Sequence, residues 1–115
     1  NPGYERAFFN LGRVYARAGE LQQAVENYRQ AAIVNPNQAE IRLGLGNALA
    51  QQGSLEAAAA EFEVATKLSP DLVDARTALA GSLAALGRKE EAEKQYLKAK
   101  ELLLKSKILG EISRR

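Results

Sequence analysis

Residues 8–19 read FFNLGRVYARAG, and the reading of this stretch decides the fold. Phe8, Leu11 and Tyr15 follow steps of three and four, which places them on one face of a helix. Gly19 comes next, where a left-handed residue can end a helix without a Cβ penalty. Beyond it Leu21, Ala24, Val25, Tyr28, Ala31 and Ala32 mark a second amphipathic stripe. Asn35-Pro36 stops that second helix, because proline disfavours a helical residue before it and lacks an amide donor. The unit is therefore a helical hairpin, closed at its base by a proline turn.

The unit recurs. The three prolines, Pro2, Pro36 and Pro70, stand 34 residues apart. Sliding the chain by the same step aligns Leu11, Leu45 and Leu79, then Gly12 and Gly46 with Ala80. Gly19, Gly53 and Gly87 are identical, as are Ala24, Ala58 and Ala92 and also Ala31, Ala65 and Ala99. Tyr28, Phe62 and Tyr96 form an aromatic column. Small residues at Gly12 and Ala24 let two helices approach closely, and the ring of Tyr28 fills the space beside them. The expected helices cover roughly 4–18, 21–34, 38–52, 55–68, 72–86 and 89–109. Tyr15, Tyr28, Phe62 and Tyr96 are expected in the core.

Leu11-Gly12-x-x-Tyr15-x-x-x-Gly19, followed by Ala24, Tyr28, Ala31 and Pro36, resembles the tetratricopeptide repeat, with Phe8 in the place usually held by Trp. The resemblance covers residues 5–106. It implies an all-α, right-handed superhelical solenoid of three helix-turn-helix repeats, at about 5–38, 39–72 and 73–106 in one domain. The first helix of each repeat would line the concave side. Asn1-Pro2-Gly3 occupies the phase of a preceding repeat's terminator, so the domain is expected to be excised from a longer array. At the other end Leu104 holds the proline phase and no breaker replaces it. The last helix should therefore extend over about 105–113 and cap the terminal repeat. Leu104, Ile108 and Ile112 recur every fourth residue with Leu109 beside them, a set suited to self-covering or to self-association.

Composition narrows the chemistry. Without Cys or His the chain lacks a thiolate, the commonest general base and the commonest transition-metal ligand. Glu61/Glu63 and Glu90/Glu91 are the densest acid pairs, but residues one or two apart on a helix point in different directions. No phosphate-binding glycine pattern is present. The chain reads as non-catalytic, with no cofactor and no metal. No apolar run approaches the roughly 20 residues that a membrane span needs. Charge is uneven. Four basic residues face three acidic ones over 1–38, two face five over 39–72, and ten face six over 73–115. The basic last repeat raises nucleic acid as a partner, yet its lysines alternate with Glu91, Glu93 and Glu101, which disfavours that reading.

The repeat phase implies that the concave positions of the first repeat include Arg6, Phe9, Asn10, Arg13 and Arg17. Those of the second include Glu40, Leu43, Gly44 and Asn47, and those of the third Asp74 and Ala78. A branch of the family grips C-terminal carboxylates with a clamp of Lys, Asn, Asn, Lys and Arg. Phe9, Arg13, Gly44, Asp74 and Ala78 stand at the matching places, so only Arg13 offers a comparable donor. The candidate groove is instead Arg6, Phe9, Asn10, Arg13, Arg17, Leu43 and Asn47. There guanidinium forks suit acidic groups and the amides suit an extended backbone. The expected function is capture of a peptide or protein segment. The alternative is a scaffold that self-associates through its repeat ends or through Leu104, Ile108, Leu109 and Ile112.

Overall fold

The computed structural model describes residues 2–114, so Asn1 of the opening Asn-Pro-Gly turn lies outside the described residues. Six helices follow one another: α1 Pro2–Arg17, α2 Leu21–Val34, α3 Ala39–Gln51, α4 Leu55–Leu68, α5 Val73–Ala85 and α6 Lys89–Ser113. Helix α1 starts two residues ahead of the expected boundary. Proline is well placed in a first helical turn, where its missing N–H would have no partner anyway.

Each hairpin turns on a glycine. Gly19, Gly53 and Gly87 hold φ of 80°, 87° and 83°, a region that penalises a Cβ. The residue after each glycine donates its amide back across the turn, Glu20 to Tyr15, Ser54 to Leu49 and Arg88 to Leu83, at 2.9 Å in every case. This pattern satisfies carbonyls that the helix end would otherwise leave open.

Packing is pairwise and sequential. The helices pair as α1 with α2, α3 with α4 and α5 with α6, and the pairs join through α2 on α3 and α4 on α5. Helices α1, α3 and α5 also touch their neighbours in that layer, whereas no contact joins α2 to α4 or α4 to α6 among the described residues. A ribbon tight on one side and splayed on the other must curve, with α1, α3 and α5 inside. Its radius of gyration, 15.2 Å, exceeds the roughly 13 Å of a compact domain this size. Among the described residues no helix is long and apolar enough to cross a membrane.

The aromatic column holds the first two repeats together. Tyr28 and Phe62 are 4% and 1% exposed. The Tyr28 ring lies against Gly12 of its own repeat and Gly44 of the next, and Phe62 lies against Gly46. Tyr15 is half-buried against the same core.

Tyr96 departs from expectation and is 46% exposed. Its repeat has Ala80 where the earlier ones have Gly12 and Gly46, and among the described residues no following helix covers the ring. Leu11 differs in the same way from Leu45 and Leu79, which are buried, because among the described residues no helix stands before α1 to cover it. The extension of α6 forms, but Leu104, Ile108, Leu109 and Ile112 all remain exposed. Among the described residues α5 is the helix that α6 packs on, and of these four side chains Leu109 lines a hollow with Asp71 and Val73 at the start of that repeat.

Two further arginines hold the hairpins. Arg42 donates to the Pro36 carbonyl and to Glu61, and Arg76 donates to the Pro70 carbonyl and to Gln95. Each ties the proline turn to the second helix of its own repeat. The first repeat carries Phe8 at that position.

Candidate functional site

The inner face holds an open groove of about 440 Å³, lined by Phe9 and Arg13 of α1, Tyr28 of α2, Glu40, Leu43, Gly44 and Asn47 of α3, and Leu72 and Asp74 at the start of α5. Four of the seven expected residues, Phe9, Arg13, Leu43 and Asn47, therefore meet in one hollow. Arg6 faces a smaller cleft of about 30 Å³ with Glu5, Phe9, Gln38, Glu40 and Ile41. Asn10 and Arg17 are exposed and outside the lining, although the charge of Arg17 is felt at Tyr28.

Helix spacing explains the convergence. Phe9 and Arg13 lie one turn apart on α1, as do Leu43 and Asn47 on α3, and neighbouring inner helices bring the two pairs side by side. Gly44 lets this wall close on Tyr28, since a Cβ there would stand 2.8 Å from the ring. Phe9 tilts onto Tyr28 at a centroid distance of 5.8 Å, and the Arg13 guanidinium lies 5.8 Å above the Phe9 ring. That stacking orients Arg13 without consuming its hydrogen-bond donors.

The polar groups are uncommitted. Among the described residues, none of Arg13, Asn47, Glu40 and Asp74 makes a side-chain hydrogen bond or ion pair within the chain, in contrast to Arg42 and Arg76. Burial pushes the Tyr28 phenol above its ordinary pKa, while the positive charges of Arg13 and Arg17 pull it partly back. The groove thus has a basic corner at Arg13 and an acidic edge at Glu40 and Asp74, with apolar walls between them.

Glu40, Gly44 and Asp74 fall at inner positions of the repeat but are not among the candidate residues read from sequence. Tyr28, expected as core alone, is both core and groove floor. Leu72 sits in the loop before α5, where helical phase gives no signal. A separate cleft of about 500 Å³ lies between the outer helices α4 and α6. Its walls carry Glu56, Glu63, Arg88, Glu91 and Lys94, and Arg88 and Glu91 are paired with each other. Among the described residues no group of His, Cys, Asp or Glu is arranged to hold a metal ion.

This architecture is that of a helical-repeat solenoid with an open inner face. Tetratricopeptide repeat models match residues 9–73 and 73–102, and the chain belongs to the tetratricopeptide repeat family. Proteins of this family generally mediate protein–protein interactions. No curated protein matches significantly. Similar solved structures include a mutant of MamA, 32% identical with a TM-score of 0.80 over 85% of this chain and 72% of that one. MamA MSR-1 C2 is 30% identical with a TM-score of 0.83, over 91% of this chain and 60% of the other. The first repeat domain of Spaghetti (RPAP3), bound to the HSP90 peptide SRMEEVD, reaches a TM-score of 0.86 at 20% identity, over 89% and 81%.

Proposed function

We propose that this domain captures an extended segment of another protein in the groove between α1, α3 and the start of α5, and performs no catalysis of its own. One observation carries the reading. Arg13, Asn47, Glu40 and Asp74 share a single hollow with Phe9 and Leu43, and their donors and acceptors are unspent. Arg13 would take an acidic group of the segment, Asn47 its backbone, and Glu40 with Asp74 a basic side chain; Phe9 and Leu43 would take apolar contacts. A carboxylate clamp is a poor description of this groove. Gly44 stands where the clamp has Asn, Tyr28 fills the space, and Asp74 would repel an anion.

The test is selection of binders from a displayed random-peptide library, followed by anisotropy titration. Losing charge-assisted hydrogen bonds worth about 1.5–3 kcal/mol should weaken selected peptides roughly tenfold or more in Arg13→Ala/Asn47→Ala. The circular-dichroism melt should barely move, since both residues are exposed. Selected peptides that bind the double variant undiminished would refute the assignment.

A further inference from the structure

Helix α1 carries a polar stripe that the groove lining includes only in part. Arg6, Asn10, Arg13 and Arg17 stand at intervals of four, three and four residues. At roughly 100° per residue they fall within about 60° of one another, along about 16 Å of helix. All four are exposed, and among the described residues none makes a side-chain hydrogen bond or ion pair. No acidic residue of α1 shares the arc, since Glu5 lies about 100° round from Arg6 and accepts from Asn35. Arg17 sits in the last turn, where the helix dipole favours a cation, but the fold gives no such reason for Arg6 or Arg13.

The stripe borders the groove. Arg13 lines it and stacks on Phe9, and Arg6 shares a cleft with Phe9 and Glu40. The charges of Arg13 and Arg17 both reach the Tyr28 phenol at the groove floor. The next two repeats have no such stripe. Its columns hold Glu40, Gly44, Asn47 and Gln51 on α3, and Asp74, Ala78, Gly81 and Ala85 on α5. The other arginines of the inner helices, Arg42 and Arg76, are held by the proline turns. Unpaired positive charge therefore gathers along one edge of the groove, opposite Glu40 and Asp74 in the first turns of their helices.

We propose that the captured segment alternates acidic and apolar residues and lies lengthwise along α1, with its carboxylates on Arg6, Arg13 and Arg17. This rests on capture of an extended segment in the groove. An extended chain presents every second side chain to one side, about 6.6 Å apart. Three acidic residues at alternate positions cover about 13 Å, and the long arginine stems span the rest of the stripe. Each guanidinium fork matches a carboxylate, and the Asn10 amide, between Arg6 and Arg13, meets the backbone of the segment. The intervening apolar residues turn toward Leu43, across the floor formed by Phe9 and Tyr28. Such recognition needs no terminal carboxylate. A nucleic-acid strand carries a charge on every unit and would bring some of them to Glu40 and Asp74, whereas an alternating peptide keeps its charge on one side.

The probe is a short labelled peptide of alternating glutamate and leucine, blocked at both ends and titrated by anisotropy. It should bind with a Kd below about 1 mM. A peptide of the same composition with its glutamates consecutive, and one with lysine for glutamate, should bind at least about tenfold more weakly. Arg6→Gln and Arg17→Gln should each weaken the alternating peptide about threefold to fivefold, and the two together about tenfold or more. Both residues are exposed, and an unchanged circular-dichroism melt shows that the loss is not unfolding. Added salt should weaken binding to the parent more than to the double variant. Library-selected peptides separate this proposal from the groove itself. Peptides that need Arg13 and Asn47, lack alternating acids and bind Arg6→Gln/Arg17→Gln undiminished would overturn the stripe and leave the groove standing. Peptides indifferent to Arg13→Ala/Asn47→Ala would overturn both. The proposal also fails if the alternating peptide does not bind at about 1 mM, or if the consecutive or lysine peptide binds equally well. Single-stranded RNA that displaces the peptide, and that Arg6→Gln/Arg17→Gln no longer holds, would assign the stripe to nucleic acid and overturn it too.

Discussion

Replacing Gly46 and Gly81 by alanine, one at a time, should move stability in opposite directions. Both lie inside helices of the inner layer, α3 and α5. Alanine in a helix interior is favoured over glycine by about 1 kcal/mol, so local propensity alone makes both changes stabilising. Their surroundings differ. A Cβ on Gly46 would lie within 3.0 Å of three ring atoms of Phe62, whereas nothing lies within 4 Å of a Cβ on Gly81. Phe62 is 1% exposed and has no free space to swing into. Overpacking of this kind costs about 1–3 kcal/mol. Gly46→Ala should therefore destabilise by about 1 kcal/mol net, and Gly81→Ala should stabilise by about 1 kcal/mol. At about 4 °C per kcal/mol for a chain of this size, the two Tm values should differ by roughly 8 °C. Thermal melts followed by circular dichroism at 222 nm read this directly. The third repeat carries the same exchange already, with Ala80 in the glycine column and Tyr96 turned out to 46% exposure. In a Phe62→Leu background the penalty of Gly46→Ala should largely vanish, a coupling of about 1 kcal/mol or more. Equal rises in Tm for Gly46→Ala and Gly81→Ala would refute the claim that Phe62 needs the missing Cβ.

Two further outcomes follow from side chains that the fold has committed. Arg42→Ala and Arg76→Ala should each cost about 1–2 kcal/mol in urea unfolding. Only the Arg42 penalty should shrink in high salt, because Glu61 is charged and Gln95 is not; equal salt dependence would contradict the geometry. Tyr28 is an acid whose pKa is raised by burial, so on alkalinisation the unfolded state loses its proton first. Its contribution is complete below about pH 10 and lost above it. Tm should accordingly fall more steeply above pH 10 in the parent chain than in Tyr28→Phe; superimposable profiles would show that the hydroxyl is not desolvated.

Helix number and hairpin turns were legible because each rests on local chemistry. A glycine that must take positive φ and a proline that cannot continue a helix act within a few residues, and their spacing reports the unit directly. The meeting of Phe9, Arg13, Leu43 and Asn47 was legible for the same reason, since helical phase and stacked hairpins are enough to place them together. Glu40 and Asp74 were visible as inner positions, yet their part in the groove depends on which charges remain unpaired after folding. Arg42 and Glu40 are two residues apart on α3, and nothing in their spacing tells which one is spent on a carbonyl and which is left free.

The misreadings have a single cause. A repeat column specifies a side chain, while burial depends on whether a neighbour stands beside it. Leu11, Leu45 and Leu79 are identical, but among the described residues only the last two have a preceding hairpin, and only they are buried. Tyr96 has the ring of Tyr28 without the following helix that Tyr28 packs against. The two end faces are not equivalent in chemistry either. The α1 face keeps the apolar Leu11 and Val14, both exposed, where the later repeats bury Leu45 with Ala48 and Leu79 with Ser82. The α6 face has Glu93 and Lys100 in its joint columns, and its exposed apolar residues lie farther along the helix around Leu104. A preceding helical hairpin would thus find a surface suited to repeat stacking, whereas a following one would have to cover Glu93 and Lys100.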